Sequence, residues 1–313
     1  MKCISVNILI LAILLSMQSC IRDDRSDCSD SALRLDFRYT LNKQYKDLFG
    51  PEVARVTAYV FDTENKYVGT YTESGDKLRN KYVMTIPLPE GRYQAVVFCD
   101  NLQTFATSEL DNGTNLSDFR IILNSVEGSD GYLIPQIVPG DLFAGYASEV
   151  PTTYDASCVT TVDLMKDTKN VIVKINGLNY LTRSAVVPDV YVTAVNAKYK
   201  SDNSIDPSHR MLKYLPHRTS VRGNTMESDL RTMRLVIGRA PMLVVKNPLT
   251  SGYLLNHDLT DLILASPNYA SQEDIDREDT FVFEINLSRV DNDIVISILI
   301  NGWKINTVTP VND

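Results

Sequence analysis

Apolar and polar residues alternate without a slip through Leu33-Arg34-Leu35-Asp36-Phe37-Arg38-Tyr39-Thr40, a period of two that predicts a strand with one face in a core and one in water. Val53 to Phe61 (VARVTAYVF) predicts a second strand, Asp62 to Lys66 a turn, and Tyr67 to Tyr71 the return strand. Lys81 to Pro87 and Gly91 to Cys99 flank Leu88-Pro89-Glu90-Gly91, whose Pro and Gly predict a hairpin joining them. Residues 100–140 are less regular and read as loops, with Asn112-Gly113, Gly128, Gly131, Pro135 and Pro139, and a short helical turn around 104–110. Asp141 to Tyr146 and Val159 to Leu164 read as closing strands of a first domain.

Asp167-Thr168-Lys169-Asn170 reads as a polar turn, after which Val171 to Ile175 opens a new strand, so a domain boundary is expected between 166 and 167. Strands then begin near 170 and 190 (Val190 to Ala197), echoing starts at 33 and 53 in the first half. Residues 200–230 are polar, whereas Leu235 to Gly238, Met242 to Val245 and Phe281 to Leu287 predict strands. Leu254 to Leu264 fits a short helix or a buried loop. A long apolar strand, Ile294 to Ile300, ends the pattern, followed by Asn301-Gly302-Trp303-Lys304-Ile305. Short strands at this spacing predict an all-β chain with little helix, built as two tandem β-sandwiches over 32–166 and 167–313.

The first twenty residues break this pattern. Lys2 precedes a mainly apolar stretch from Ile4 to Leu15, the length of a signal-peptide core and too short for a bilayer, which takes ~20 residues. Ser19 then precedes Cys20, which suits a lipoprotein signal over 1–19 and lipidation of Cys20 at the new N-terminus. Met17 and Gln18 depart from the common lipobox, and an ordinary secretory signal is the alternative; either reading means export. Residues 20–31 then form a polar tether, with Asp23, Asp24 and Asp27 among its acids.

Loss of residues 1–19 would take the net charge from −8 to −9, which argues against a nucleic-acid partner. Besides Cys3 and Cys20 the thiols are Cys28, Cys99 and Cys158; Cys28 beside the first strand and Cys99 at the end of a later one form a candidate disulfide pair. No GxSxG, GxxxxGK[ST], GxGxxG or HExxH motif occurs, so no catalytic residue, cofactor or metal ligand is assigned. His209, His217 and His257 stand singly and read as surface or loop residues. Asp274, Asp276, Glu278 and Asp279 superficially suggest calcium, but an EF-hand loop from Asp274 would need Gly where Asp279 stands and Glu where Ile285 stands; a solvated loop is expected instead. Trp303, the single tryptophan, reads as core, and it counts against a glycan platform.

Four passages in this order resemble the anchor subunits of Bacteroidales fimbriae, the FimB-like, fimbrillin-associated lipoproteins. They are Cys20 with Asp23-Asp24 and Cys28; the Leu33–Tyr39 strand leading to VTAYVFD (Val56 to Asp62); Leu88-Pro89-Glu90-Gly91-Arg92-Tyr93 entering an AVVF strand; and Asp141-Leu142-Phe143. The resemblance implies transthyretin-like sandwiches, a lipid foot in the outer membrane facing the cell exterior, and fimbrial shaft subunits as partners, joined by β-strand exchange. An anchor of this kind is expected to keep its first strand, with Arg25, Arg34, Arg38 and Arg55 as the nearby arginines to test. The expected contact with the shaft is the C-terminal segment, through Ile294, Ile296, Ile298, Ile300, Trp303 and Ile305; the alternative is that this segment is the last core strand. The rival function is that of a surface glycan-binding lipoprotein.

Overall fold

The computed structural model describes residues 31–181, 187–247, 250, 252–290 and 293–305. The first half contributes β1 (Ala32–Arg38), β2 (Arg55–Asp62), β3 (Tyr67–Ser74), β4 (Val83–Pro87), β5 (Arg92–Asp100), β6 (Phe105–Thr107), β7 (Arg120–Leu123), β8 (Ser125–Glu127), β9 (Leu133–Pro135), β10 (Leu142–Thr153), β11 (Thr160–Asp163) and β12 (Met165–Lys166). The second contributes β13 (Thr168–Asn176), β14 (Asp189–Ala194), β15 (Lys198–Lys200), β16 (Leu212–Tyr214), β17 (Arg218–Arg222), β18 (Thr225–Met233), β19 (Met242–Lys246), β20 (Tyr253–Asp258), β21 (Thr280–Val290), β22 (Asp293–Ile300) and β23 (Trp303–Lys304). Among the described residues three short α-helices interrupt them, α1 (Phe49–Glu52), α2 (Leu259–Leu264) and α3 (Gln272–Arg277), with a few single 3-10 turns besides. The chain is all-β, as its alternation predicts.

Two apolar cores organise the strands. In the first, β4, β1 and β11 lie over β3, β2, β5 and β10, and Leu33, Leu35 and Phe37 of β1 meet Val56, Ala58, Val97 and Phe143. The opposite face of β2 and β5 is also buried, because Phe105, Phe119, Ile121 and Leu123 cover Tyr59, Phe61, Val96 and Phe98. Strands buried on both faces carry apolar residues at every position, which is why VTAYVF and AVVFC lack alternation. In the second core, β17-β18-β13-β21-β22-β23 packs its Val171, Val173, Phe281, Phe283, Ile296 and Ile298 with Val190, Val192, Leu243 and Val245 of β20-β19-β14-β16-β9-β8. Each half repeats one pairing: β1 is antiparallel to β4 and parallel to β11, and β13 is antiparallel to β18 and parallel to β21.

Several expectations are corrected. The turn at 88–91 does not close a hairpin: β4 pairs with β1, while β5 pairs with β2 and β10, so this corner carries the chain from one sheet to the other. The Thr152 hydroxyl holds the corner, donating to Pro89 O at 3.0 Å and accepting from Gly91 N–H at 2.8 Å. The helical turn expected around 104–110 occurs slightly earlier, as a 3-10 turn at Leu102–Thr104 followed by β6, and residues 105–135 are more ordered than loops, since β7 pairs with β15 and β9 with β16 of the second half. Polar residues 218–233 form the β17–β18 hairpin, with alternating burial along β18. Leu235 to Gly238 is irregular, because the Gln272 side chain bonds Leu235 O and Ile237 N–H in place of a neighbouring strand. Of the alternatives at 254–264, the short helix is met at 259–264, capped by the Asp258 carboxylate, whereas 254–258 is strand β20 and not a loop.

Candidate anchoring and docking sites

β1 is an interior strand, hydrogen-bonded to β4 on one side and to β11 and the end of β10 on the other. Its polar face is less wet than alternation predicts. Arg34 is buried, and its guanidinium donates to Thr153 O at 2.7 Å and Asp155 O at 3.3 Å. Those carbonyls belong to residues at and just beyond the end of β10, so Arg34 ties the first strand to the opposite sheet. Arg38 lies at the surface in an ion pair with Asp163 of β11 at 3.0 Å, and Arg55 is exposed at the start of β2. Arg25, Cys20 and Cys28 lie outside the described residues. Cys99, the other half of the candidate disulfide, is fully buried in the first core, and burial pushes its thiol pKa well up.

The chain between the two cores is polar and closely paired. Lys166 of β12 is nearly buried and lies 3.2 Å from Asp141, 3.2 Å from Asp279 and 3.5 Å from Glu52. Burial opposes its charge, yet the three carboxylates hold its pKa above the ordinary lysine value. Tyr39, just past β1, donates to Asp279 at 3.4 Å; burial, then the charge of Asp279, pushes its phenol up. Arg231 pairs with Asp141. One residue on, the expected polar turn at 167–170 is in fact the buried start of β13: Asp167, Thr168 and Lys169 are at most 1% exposed. Lys169 donates to Asp276 O and Glu278 O at 2.7 Å each, and burial lowers its pKa to about 8. Asp167 accepts from Asn203 at 3.0 Å, and burial raises its carboxyl to about 7.

The acidic run at 274–279 is likewise no solvated loop. Ser271 opens α3 with a capping box on Asp274, Asp276 is buried against Arg234 at 2.6 Å, and Tyr269 donates to buried Glu278 at 2.6 Å. Buried charges persist where each has a partner, and these carboxylates have arginine, lysine or tyrosine. Among the described residues no group of three or more His, Cys, Asp or Glu is placed to hold a metal ion. His217 is exposed, and His209 and His257 are half-buried.

At the C-terminus, β22 pairs with β21 from Asp293 to Ile300, and β23 folds back on its end. Ile296, Ile298 and Ile300 are fully buried in the second core, Ile294 is partly buried and Ile305 is buried. Trp303, expected in the core, is 51% exposed on β23. The turn between β22 and β23 is a two-residue hairpin in which Asn301 (φ 48°) and Gly302 (φ 84°) both take the left-handed conformation that an Asn-Gly pair favours. That dipeptide was the available sequence signal for the hairpin. Among the described residues nothing pairs with the outer edge of Asp293–Ser297.

The structure is a sandwich scaffold with an immobilised first strand, a terminal hairpin and buried polar groups that are mostly paired. The chain belongs to the family of fimbrillin-A associated anchor proteins Mfa1 and Mfa2, whose model matches residues 25–309. It is a fimbria-associated structural protein of the cell surface and not an enzyme. Its fold matches that of the fimbrial anchor protein Mfa2 from Porphyromonas gingivalis (19% identity, 88% of this chain and 99% of that one, TM-score 0.72). It also matches a candidate polysaccharide-binding protein from Bacteroides thetaiotaomicron (24%, 91% and 99%, TM-score 0.75). A candidate adhesin from Bacteroides ovatus is similar as well (21%, 92% and 98%, TM-score 0.75). No curated protein matches the chain.

Proposed function

We infer that this protein is an outer-membrane lipoprotein, anchored through Cys20 and facing outward, that holds the base of a fimbrium and joins its shaft by β-strand pairing. The observation that carries this reading is the placement of β1, the strand continuous with the tether, inside its sheet and clasped by Arg34. Tension applied to the body reaches the lipid through this strand, so an anchor must keep it. Family membership supports the fimbrial role. The chain divides into two sandwich bodies, 32–166 and 167–313, with residues 105–135 of the first lending strands to the sheets of the second. The shaft contact is assigned to the C-terminal hairpin. Since Ile296, Ile298 and Ile300 are core residues, this segment contributes the edge of Asp293–Ser297, which no described strand pairs with, together with Ile294 and exposed Trp303.

Labelling growing cells with tagged palmitate tests the lipid: the wild-type chain is expected to carry label and Cys20→Ser to carry none. Immunogold labelling of sheared-free and cell-bound fimbriae tests the position, with gold expected at the cell-proximal end only. A glycan-binding role has one observation in its favour, the exposed Trp303 ring, and specific retention of the protein on a glycan panel would support it.

A further inference from the structure

We propose that the outer edge of β3 is a docking surface for a second copy of this chain, the two β3 strands pairing antiparallel about a two-fold axis at Thr72. β3 pairs with β2 only, and no other described strand pairs with it. Gly75 N–H donates to Ala54 O, so by strand alternation Glu73, Tyr71 and Gly69 point their main-chain groups at β2. Thr70, Thr72 and Ser74 therefore point theirs outward, and all three residues are exposed. Such a row of free N–H and C=O groups is a template for another strand, which natural edges usually blunt with cations or proline. β17, the edge of another sheet, follows that rule with exposed Arg218 and Arg222. Tyr67–Ser74 contains no Lys, Arg or Pro.

The sequence of β3 suits itself as a partner. Pairing about Thr72 sets Thr72 opposite Thr72 and Thr70 opposite Ser74, hydroxyl against hydroxyl, a combination that stabilises antiparallel pairs. On the other face Tyr71 stands opposite Glu73, so the only charged side chain of the strand meets a phenol and never its own copy. The joined edges continue the β2–β3 sheet through both molecules, an isologous contact. The contact is short, and confinement of both copies to one membrane, on the lipoprotein reading above, raises its occupancy.

Two differently tagged full-length copies are expressed in the same cells, and one tag is used to recover the other. Wild-type copies are expected to associate. Thr72→Lys in both copies, or Thr72→Glu in both, sets like charges opposite and is expected to reduce recovery about tenfold or more. Thr72→Lys in one copy with Thr72→Glu in the other restores it, which a merely unfolded variant does not do. Absence of wild-type association, or undiminished association when both copies carry Lys, overturns the proposal. Repeating the wild-type arm with Cys20→Ser in both copies separates the two readings: association lost only there concerns the tether, and association lost only with like charges concerns the edge.

Discussion

Asp167 places a carboxyl in a fully buried site, where it accepts a hydrogen bond from Asn203 at 3.0 Å and burial raises its pKa to about 7. In the unfolded chain an aspartate titrates near ~3.9, so the folded state holds this proton more tightly. The resulting stabilisation is complete below pH ~3.9 and is lost as pH rises through about 7, a change on the order of a few kcal/mol. Lys169, lowered to about 8, stays largely protonated in both states below pH ~7 and opposes this loss only at the top of the window. Urea unfolding is therefore expected to show less sensitivity to pH between 4 and 7.5 in Asp167→Asn than in the wild type. Arg34 gives a second expectation at this scale: Arg34→Ala removes the donor to the part-buried carbonyls of Thr153 and Asp155 and should cost about 1 kcal/mol in the same assay. Neither residue was legible in the sequence. Arg34 alternates with leucines as a solvent-facing residue would, and the carbonyls it satisfies lie about 120 positions away. Asp167 and Lys169 looked like turn residues because their partners come from α3 and from Asn203.

Elements were legible where one face is buried by near neighbours, and less so where distant chain covers them. The predicted strands at 33–40, 53–61, 67–71, 242–245, 281–287 and 294–300 all occur, because period-two alternation or β-branched runs determine them locally. The Pro/Gly corner at 88–91 misled, since a turn signal fixes the change of direction and not the sheet that the next strand joins. The β22–β23 hairpin depends on two consecutive left-handed residues. Gly302→Val, which forces a β-branched side chain into φ 84°, is expected to cost about 1–2 kcal/mol, read as a lower urea midpoint. The interior position of β1 gives an expectation for proteolysis. An arginine-specific protease acting on the native protein should leave the bonds after Arg34 and Arg55 intact, since both lead into paired strands, so N-terminal sequencing should find no product beginning at Leu35 or Val56.

For the whole molecule, the polar cluster around Lys166 is where the chain following the first strand, through Tyr39, meets the second half, through Asp279. Lys166 gathers Glu52 and Asp141 from the first half with Asp279 from the second, and Tyr39 reaches the same Asp279. Lys166 is nearly buried but its carboxylate partners are partly open to water, which screens the charges left behind, so Lys166→Met should lower stability by about 1 kcal/mol. The all-β class and the family could be read from the order of local passages, whereas the interleaving of residues 105–135 with the second half could not, because β7 and β9 are too short to declare their partners. The most direct test of the anchoring role is the distribution of fimbriae between cells and medium when Cys20→Ser replaces the wild-type chain. Intact fimbriae accumulating in the medium, with the cells depleted of them, is the predicted result; fimbriae retained on the cells at wild-type levels would contradict it.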